Sequence, residues 1–190
     1  MQKMKGYIYT MFAGADPAVG WKMTDPIYGK TPTLGACMPN IRKAVEKGDY
    51  IFSISGRVKD IQQYIVGGFK VDEKINALSA YERIPENRMR ISPDGKLEGN
   101  IIIDEKGNHL EIDYHSNHEK RIENYIIGKD AIVINDESEV KKAREETLSF
   151  LNNLFSKNED SISKIVARWR KLNEGQIDEL LTWMGDIKKR

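Results

Sequence analysis

Three histidines, His109, His115 and His118, fall in one short window that also holds Asp104, Glu111 and Asp113. Imidazoles beside carboxylates suit metal ligation or general acid–base work. The spacing matches none of the familiar zinc patterns that lock two ligands onto one face, so no metal and no cofactor are expected. His115 and Ser116 follow a stretch, 110–114, that reads as a strand, and sites collect at strand ends. His115 is therefore the candidate acid or base, with Asp113 or Asp49 assisting, and Tyr114, His115 and Ser116 are candidate ligand contacts. The plainer reading makes the same window an exposed polar loop. Cys37, the single cysteine, precedes a short predicted helix whose N-terminus would lower a thiol pKa. It reads equally well as a small buried hydrophobe, since no acid or base accompanies it locally.

A second set of side chains suits a flat, phosphate-bearing ligand. Trp21, Tyr28 and Tyr64 offer stacking faces, while Arg42, Lys43, Lys47 and Arg57 offer cations for phosphate. Against this, Tyr64 fits a core and the basic residues fit a solvated helix face. Ser53 and Ser55 alternate with Ile54, so their hydroxyls share one side of a strand, facing either a pocket or solvent. Gly29-Lys30-Thr31 resembles the end of a nucleotide-binding P-loop only superficially. Thr24 replaces its first glycine, and Pro32 stands where helical N–H groups would cradle phosphate.

Composition narrows the classes. The chain has 190 residues, with 30 Lys and Arg against 29 Asp and Glu, a net charge of +1. Bulk charge cannot hold it on nucleic acid, so any basic site is local. Apolar residues at 39% and charged ones at 31% describe an ordinary folded chain rather than a disordered or fibrous one. One cysteine excludes an internal disulfide framework and fits a reducing compartment. Residues 1–12 lack the apolar core of a signal peptide, and the longest apolar runs, such as 101–103 and 131–134, fall far short of the roughly 20 residues that cross a bilayer. A cytoplasmic protein with no membrane contact is expected.

Short β-branched and aromatic bursts between turn residues make 1–136 mainly β, with six or seven strands. Strands are expected at 5–12, 49–55, 61–71, 125–127 and 131–134, with a hairpin at 101–104 and 110–114. Paired Gly67 and Gly68 predict a bulge or a close backbone approach. Residues 13–38 read as a long loop, 40–47 as a short helix entered at Pro39, 72–81 as a helix and 83–98 as an irregular excursion. Beyond Asp136 the apolar period becomes helical, predicting helices at 140–155, 161–172 and 176–187. The expected organisation is a domain at 1–136 with a helical extension at 137–190. Leu180, Leu181, Trp183 and Met184 of that extension either pack on the domain or dock a partner or second copy.

The run Gly35-Ala-Cys-Met-Pro-Asn-Ile-Arg42, then Gly48-Asp49, Ser53-Ile-Ser-Gly56 and Ile65-Val-Gly-Gly-Phe-Lys-Val71, resembles the β-barrels of the PUA and EVE type. With Asp113-Tyr-His-Ser116 and Gly128-Lys-Asp-Ala131 added, the pattern is similar to the nucleotide modification associated domain 2 family over about residues 5–134. The matching positions are Cys37, Pro39, Ile41, Arg42, Gly48, Asp49, Gly56, His115 and Ser116. The resemblance implies an α+β fold built on a PUA/EVE-like mixed β-barrel. It also implies recognition of a nucleic-acid base or nucleotide, a modified one in DNA first among them, in a DNA modification or phage-conflict system. Trp21, Cys37, Arg42, Ser53, Ser55, Gly56, Tyr64, Tyr114, His115 and Ser116 would then contact ligand. The alternatives are an enzyme acting on a base or nucleotide through His115, and an interaction module working through 137–190.

Overall fold

The computed structural model describes residues 3–189. In chain order its elements are β1 (Gly6–Thr10), β2 (Thr33–Leu34), α1 (Pro39–Ala44), β3 (Tyr50–Ile54), β4 (Ile65–Ile75), α2 (Ala77–Arg83), β5 (Arg90–Ile91) and β6 (Leu97–Glu98). Then follow α3 (His118–Ile122), β7 (Tyr125–Val133), α4 (Glu137–Leu154), α5 (Ile162–Val166), β8 (Trp169–Leu172) and α6 (Glu174–Lys188). The fold is mixed α+β. Six strands hydrogen-bond in the linear order β2-β7-β4-β3-β1-β8, and β5 with β6 forms a two-stranded ribbon. The pairings among the described residues contain none that closes the sheet into the expected barrel. No helix among them is long and apolar enough to cross a membrane.

The chain divides into two compact units that cut across the expected boundary at 136. The first contains the residues up to Trp21, Asp49–Phe69 and those from Ile132 onward. Here β1 runs parallel to β3 and antiparallel to β8. α4 buries Val140, Ala143, Thr147, Leu151 and Leu154, the predicted stripe, behind an Asp136 capping box. α6 starts from a second capping box, at Asn173 and Gln176, and buries Ile177, Leu180, Met184 and Ile187. Phe150 stacks on Trp183 with ring centroids 4.7 Å apart. Leu180 and Met184 are thus core side chains of this unit rather than a docking stripe.

The expected helix at 161–172 is replaced by α5 and β8. Ala167, at φ 54° and ψ −131°, ends the helix, and Trp169–Leu172 then pair with β1. Gly68 makes the predicted close approach, since a Cβ there would lie 2.1 Å from the Phe52 ring.

The second unit comprises Lys22–Gly48 and Lys70–Ala131. β2 pairs antiparallel with β7, and a core of Ala36, Ala77, Ala80, Ile101, Ile102, Ile103 and Tyr125 lies beneath. The expected helix at 72–81 begins only at Ala77, capped by the Asn76 side chain, because β4 continues to Ile75. The expected hairpin is reduced to one antiparallel bridge, Ile103 to His109. The Asp104 carboxylate accepts the N–H groups of Lys106 and Asn108, curling the chain before a ladder can form.

Leu180→Ala, in the tail, is expected to cost about 2–5 kcal/mol in urea unfolding followed by circular dichroism, as for other fully buried leucines. A change within experimental error would show that this face packs on nothing.

Candidate active site: Cys37, His115 and Asp113

The second unit assembles a thiol, an imidazole and a buried carboxylate. Its foundation is Asp25, which lies inside the stretch expected as a loop and carried no sequence signal of its own. One carboxylate oxygen accepts the Gly35 N–H at 2.9 Å and the Asn100 amide at 2.8 Å. The other accepts the Ala36 N–H at 2.8 Å and the Cys37 N–H at 2.5 Å. Three successive amides pointing at one carboxylate fix the backbone that presents the thiol. Gly35 is obligatory in this bend, because a Cβ would lie 2.5 Å from the Tyr125 ring and 2.6 Å from the Asn100 carbonyl. Asn100, Thr33, Asn87 and Tyr125 bond one another around this point, leaving Asn100 saturated.

Cys37 Sγ lies 3.6 Å from His115 Nε2. On the other side of the ring, His115 Nδ1 is 2.6 Å from one Asp113 oxygen. The second Asp113 oxygen is 2.7 Å from His109 Nε2. An ionised carboxylate only accepts, so both facing nitrogens carry hydrogen and donate it. Neutral His115 is thereby fixed as the Nδ1–H tautomer, with a bare Nε2 lone pair turned to the thiol. The Asp113 side chain is 1% exposed and that of His115 30%, so the orienting group is hidden while the base remains reachable.

Burial pushes the Cys37 thiol well above its ordinary pKa, and the Asp25 charge adds to this, against the opposing charges of Arg121 and Arg42. The resting sulfur is therefore a neutral thiol, contrary to the lowered thiol expected at a helix start. Burial would also raise the Asp113 carboxyl, but the hydrogen bonds from His115 and His109 outweigh it and hold that group below the usual carboxylate value.

Several expectations change. Arg42 is fully buried and donates to the carbonyls of Cys37, Ala36, Arg121 and Asn124, so it braces the backbone rather than holding phosphate. Burial pulls its guanidinium down to about 10, which leaves it charged at neutral pH. Asp49 belongs to the first unit, where it accepts the Lys5 N–H, and Asp113 is the carboxylate on His115.

Ser53 and Ser55 are fully buried, and the Ser55 hydroxyl accepts the Tyr64 N–H, so they form neither an open pocket wall nor a solvent face. Gly56 is pressed against backbone, where a Cβ would meet the Phe12 carbonyl at 1.9 Å. Tyr64 is core, its ring under the Arg144 guanidinium and its phenol pushed by burial up to about 12. Trp21 keeps partial exposure, edge-on to Phe12 at 5.3 Å. Tyr114 is 92% exposed beside His115, and the Ser116 carbonyl accepts from Arg121. His118 stacks flat on His109 at 4.6 Å. Among the described residues no group of three or more His, Cys, Asp or Glu is arranged to hold a metal ion.

No family model matches the chain. No curated protein matches it either. Among solved structures, the chain is similar to human THYN1 protein in a crystal structure with 5-methylcytosine-containing DNA, at 12% identity and a TM-score of 0.41 over 98% of this chain and 99% of that one. The nucleotide modification associated domain 2 family thus stands as a resemblance of motifs.

Removing the Asp25 carboxylate leaves three backbone N–H groups and one N–H of the Asn100 amide without this acceptor, so Asp25→Ala is expected to cost about 2–5 kcal/mol in chemical unfolding. Asp113 titrates lower in the folded state than in the unfolded one. Its contribution is complete above the unfolded carboxylate value and is lost as pH falls through the folded one. The stability difference between wild type and Asp113→Asn should therefore shrink as pH falls below the ordinary carboxylate range. A difference that stays constant with pH would remove the paired-carboxylate description.

Proposed function

We propose that this protein is an enzyme in which Cys37 is the nucleophile, His115 the acid and base, and Asp113 the group that orients His115. The observation that carries this reading is the 3.6 Å approach of Sγ to a Nε2 whose ring is locked from behind by a buried carboxylate. A nucleophile beside a base that a third group orients is the arrangement of covalent catalysis on unrelated folds. As Sγ bonds to an electrophilic carbon, Nε2 takes the thiol proton, and Asp113 stabilises the imidazolium that forms. His115 then returns the proton to the group displaced from that carbon, and a water that His115 deprotonates displaces Sγ from the carbon, the thiol taking its proton back. A thiol held protonated at rest reacts only when base and substrate are both aligned, which protects it from adventitious alkylation.

The substrate class in this reading is a base or nucleotide, modified, in DNA or free, as the sequence resemblance implies. Binding without chemistry is the second reading, favoured by the exposed Phe12 ring and the partly exposed Trp21 ring of the first unit, which offer stacking faces.

The deciding experiment incubates the protein with oligonucleotides carrying unmodified, methylated and hydroxymethylated bases and with free nucleotides. Products are followed by chromatography and Cys37 adducts by intact mass. Turnover is expected with one of these substrates, with losses of about a hundredfold or more in Cys37→Ala and His115→Ala. Turnover undiminished in both variants would sink the proposal. Selective quenching of tryptophan fluorescence with no turnover on any substrate would establish the binding reading instead.

A further inference from the structure

We infer that Arg121 is a positioning residue that sets the distance between the Cys37 thiol and the His115 imidazole. The inference presupposes that Cys37 and His115 work as a pair. The two side chains lie on chain segments separated by 78 residues and touch only through a long sulfur–nitrogen contact. Such a contact is too weak to hold its own geometry. Arg121 bridges the two segments next to each reacting group. Its Nε donates to the Ser116 carbonyl at 2.7 Å, one residue beyond His115. Its Nη1 donates to the Ala36 carbonyl at 2.7 Å, one residue before Cys37. A planar guanidinium spans two carbonyls from separate nitrogens of a rigid fork, whereas an ammonium donates from a single nitrogen on a flexible stem.

Arg42 reinforces the same bridge, sharing the Ala36 carbonyl at 2.9 Å and reaching the Arg121 carbonyl at 2.8 Å. The two arginines differ in what their removal would do. Arg42 has no access to water, so its loss strands the carbonyls of Cys37, Arg121 and Asn124 and threatens the fold. Arg121 is half-buried, and without it Arg42 still holds the Ala36 carbonyl and water can reach the exposed Ser116, while the spacing that Arg121 enforced relaxes. Displacements on the order of 1 Å cost reactions about a hundredfold.

Because Cys37 is the chain's single cysteine, its alkylation by iodoacetamide reports the site without a known substrate. The charged and titratable groups around the thiol are Asp25, His115, Arg42 and Arg121, with Asp113 behind His115. The experiment measures the pH profile of alkylation in wild type, His115→Ala, Arg121→Gln and Arg121→Lys, beside a thermal melt of each.

Wild type is expected to show a base-assisted component on the acid side that His115→Ala lacks. Arg121→Gln should lose the same component, with alkylation near neutral pH about tenfold slower, while its melting temperature stays close to wild type. Arg121→Lys keeps the charge but loses the rigid fork that fixes the spacing of the two carbonyls, so it should fail to restore the profile. Should Arg121→Gln not fold, the lysine variant decides alone. A wild-type profile in whichever variant folds overturns the role of Arg121. A wild-type profile in His115→Ala overturns the Cys37–His115 pair itself, a separate outcome.

Discussion

Withdrawing a carboxylate from water costs several kcal/mol unless hydrogen-bond donors replace the lost hydration. In the second unit, the chain around Asp25 is arranged to supply them. Gly35, Ala36 and Cys37 turn three consecutive amides inward, and Asn100 closes the fourth position. Meeting this demand dictates the bend that carries Cys37, the glycine at its start and the polar cluster of Thr33, Asn87 and Tyr125 alongside. Burial, with the charge of the same carboxylate added to it, keeps the neighbouring thiol protonated. Reactivity at this sulfur therefore waits on the imidazole.

Electrostatics grade the site from inside to outside. Asp113 is sealed and ionised, His115 is partly open and directional, and Tyr114 stands wholly in solvent. The buried group never needs to change its protonation state, and the groups that do are those that water and substrate reach. His109 and His115 draw on the two oxygens of one carboxylate, so neither ring can rotate without surrendering a short hydrogen bond.

Much of this was legible in the sequence, and the rest was hidden for identifiable reasons. α4 and α6 were readable because their stripes are long and their caps standard, and Gly68 announced its contact with Phe52. β8 was not, because four residues behind a strong helical period carry no alternation of their own. What makes Trp169–Leu172 a strand is a partner at the other end of the chain and a backbone reversal at Ala167. Cys37, Asp113 and His115 were visible as chemical types. Their assembly depends on contacts between segments far apart in sequence, so Cys37 looked unaccompanied. Arg42 was misread because an arginine on a short amphipathic helix resembles a solvated one, and nothing local reports four carbonyls converging on it. Asp25 was overlooked inside a loop for the same reason.

The division of the chain into interleaved units has a bearing on how it is made. β1 lies near the start of the chain, yet one of its flanking strands, β8, is among the last elements synthesised. The second unit is complete once Ala131 has emerged. During translation from the N-terminus, the segments bearing Cys37 and His115 are available to each other well before the first unit can acquire its final strand. Closing that pairing across most of the chain carries a large loop-closure entropy. The thiol site is thus placed to mature early, and the edge of β1 must wait, unpaired on that side, until the tail arrives.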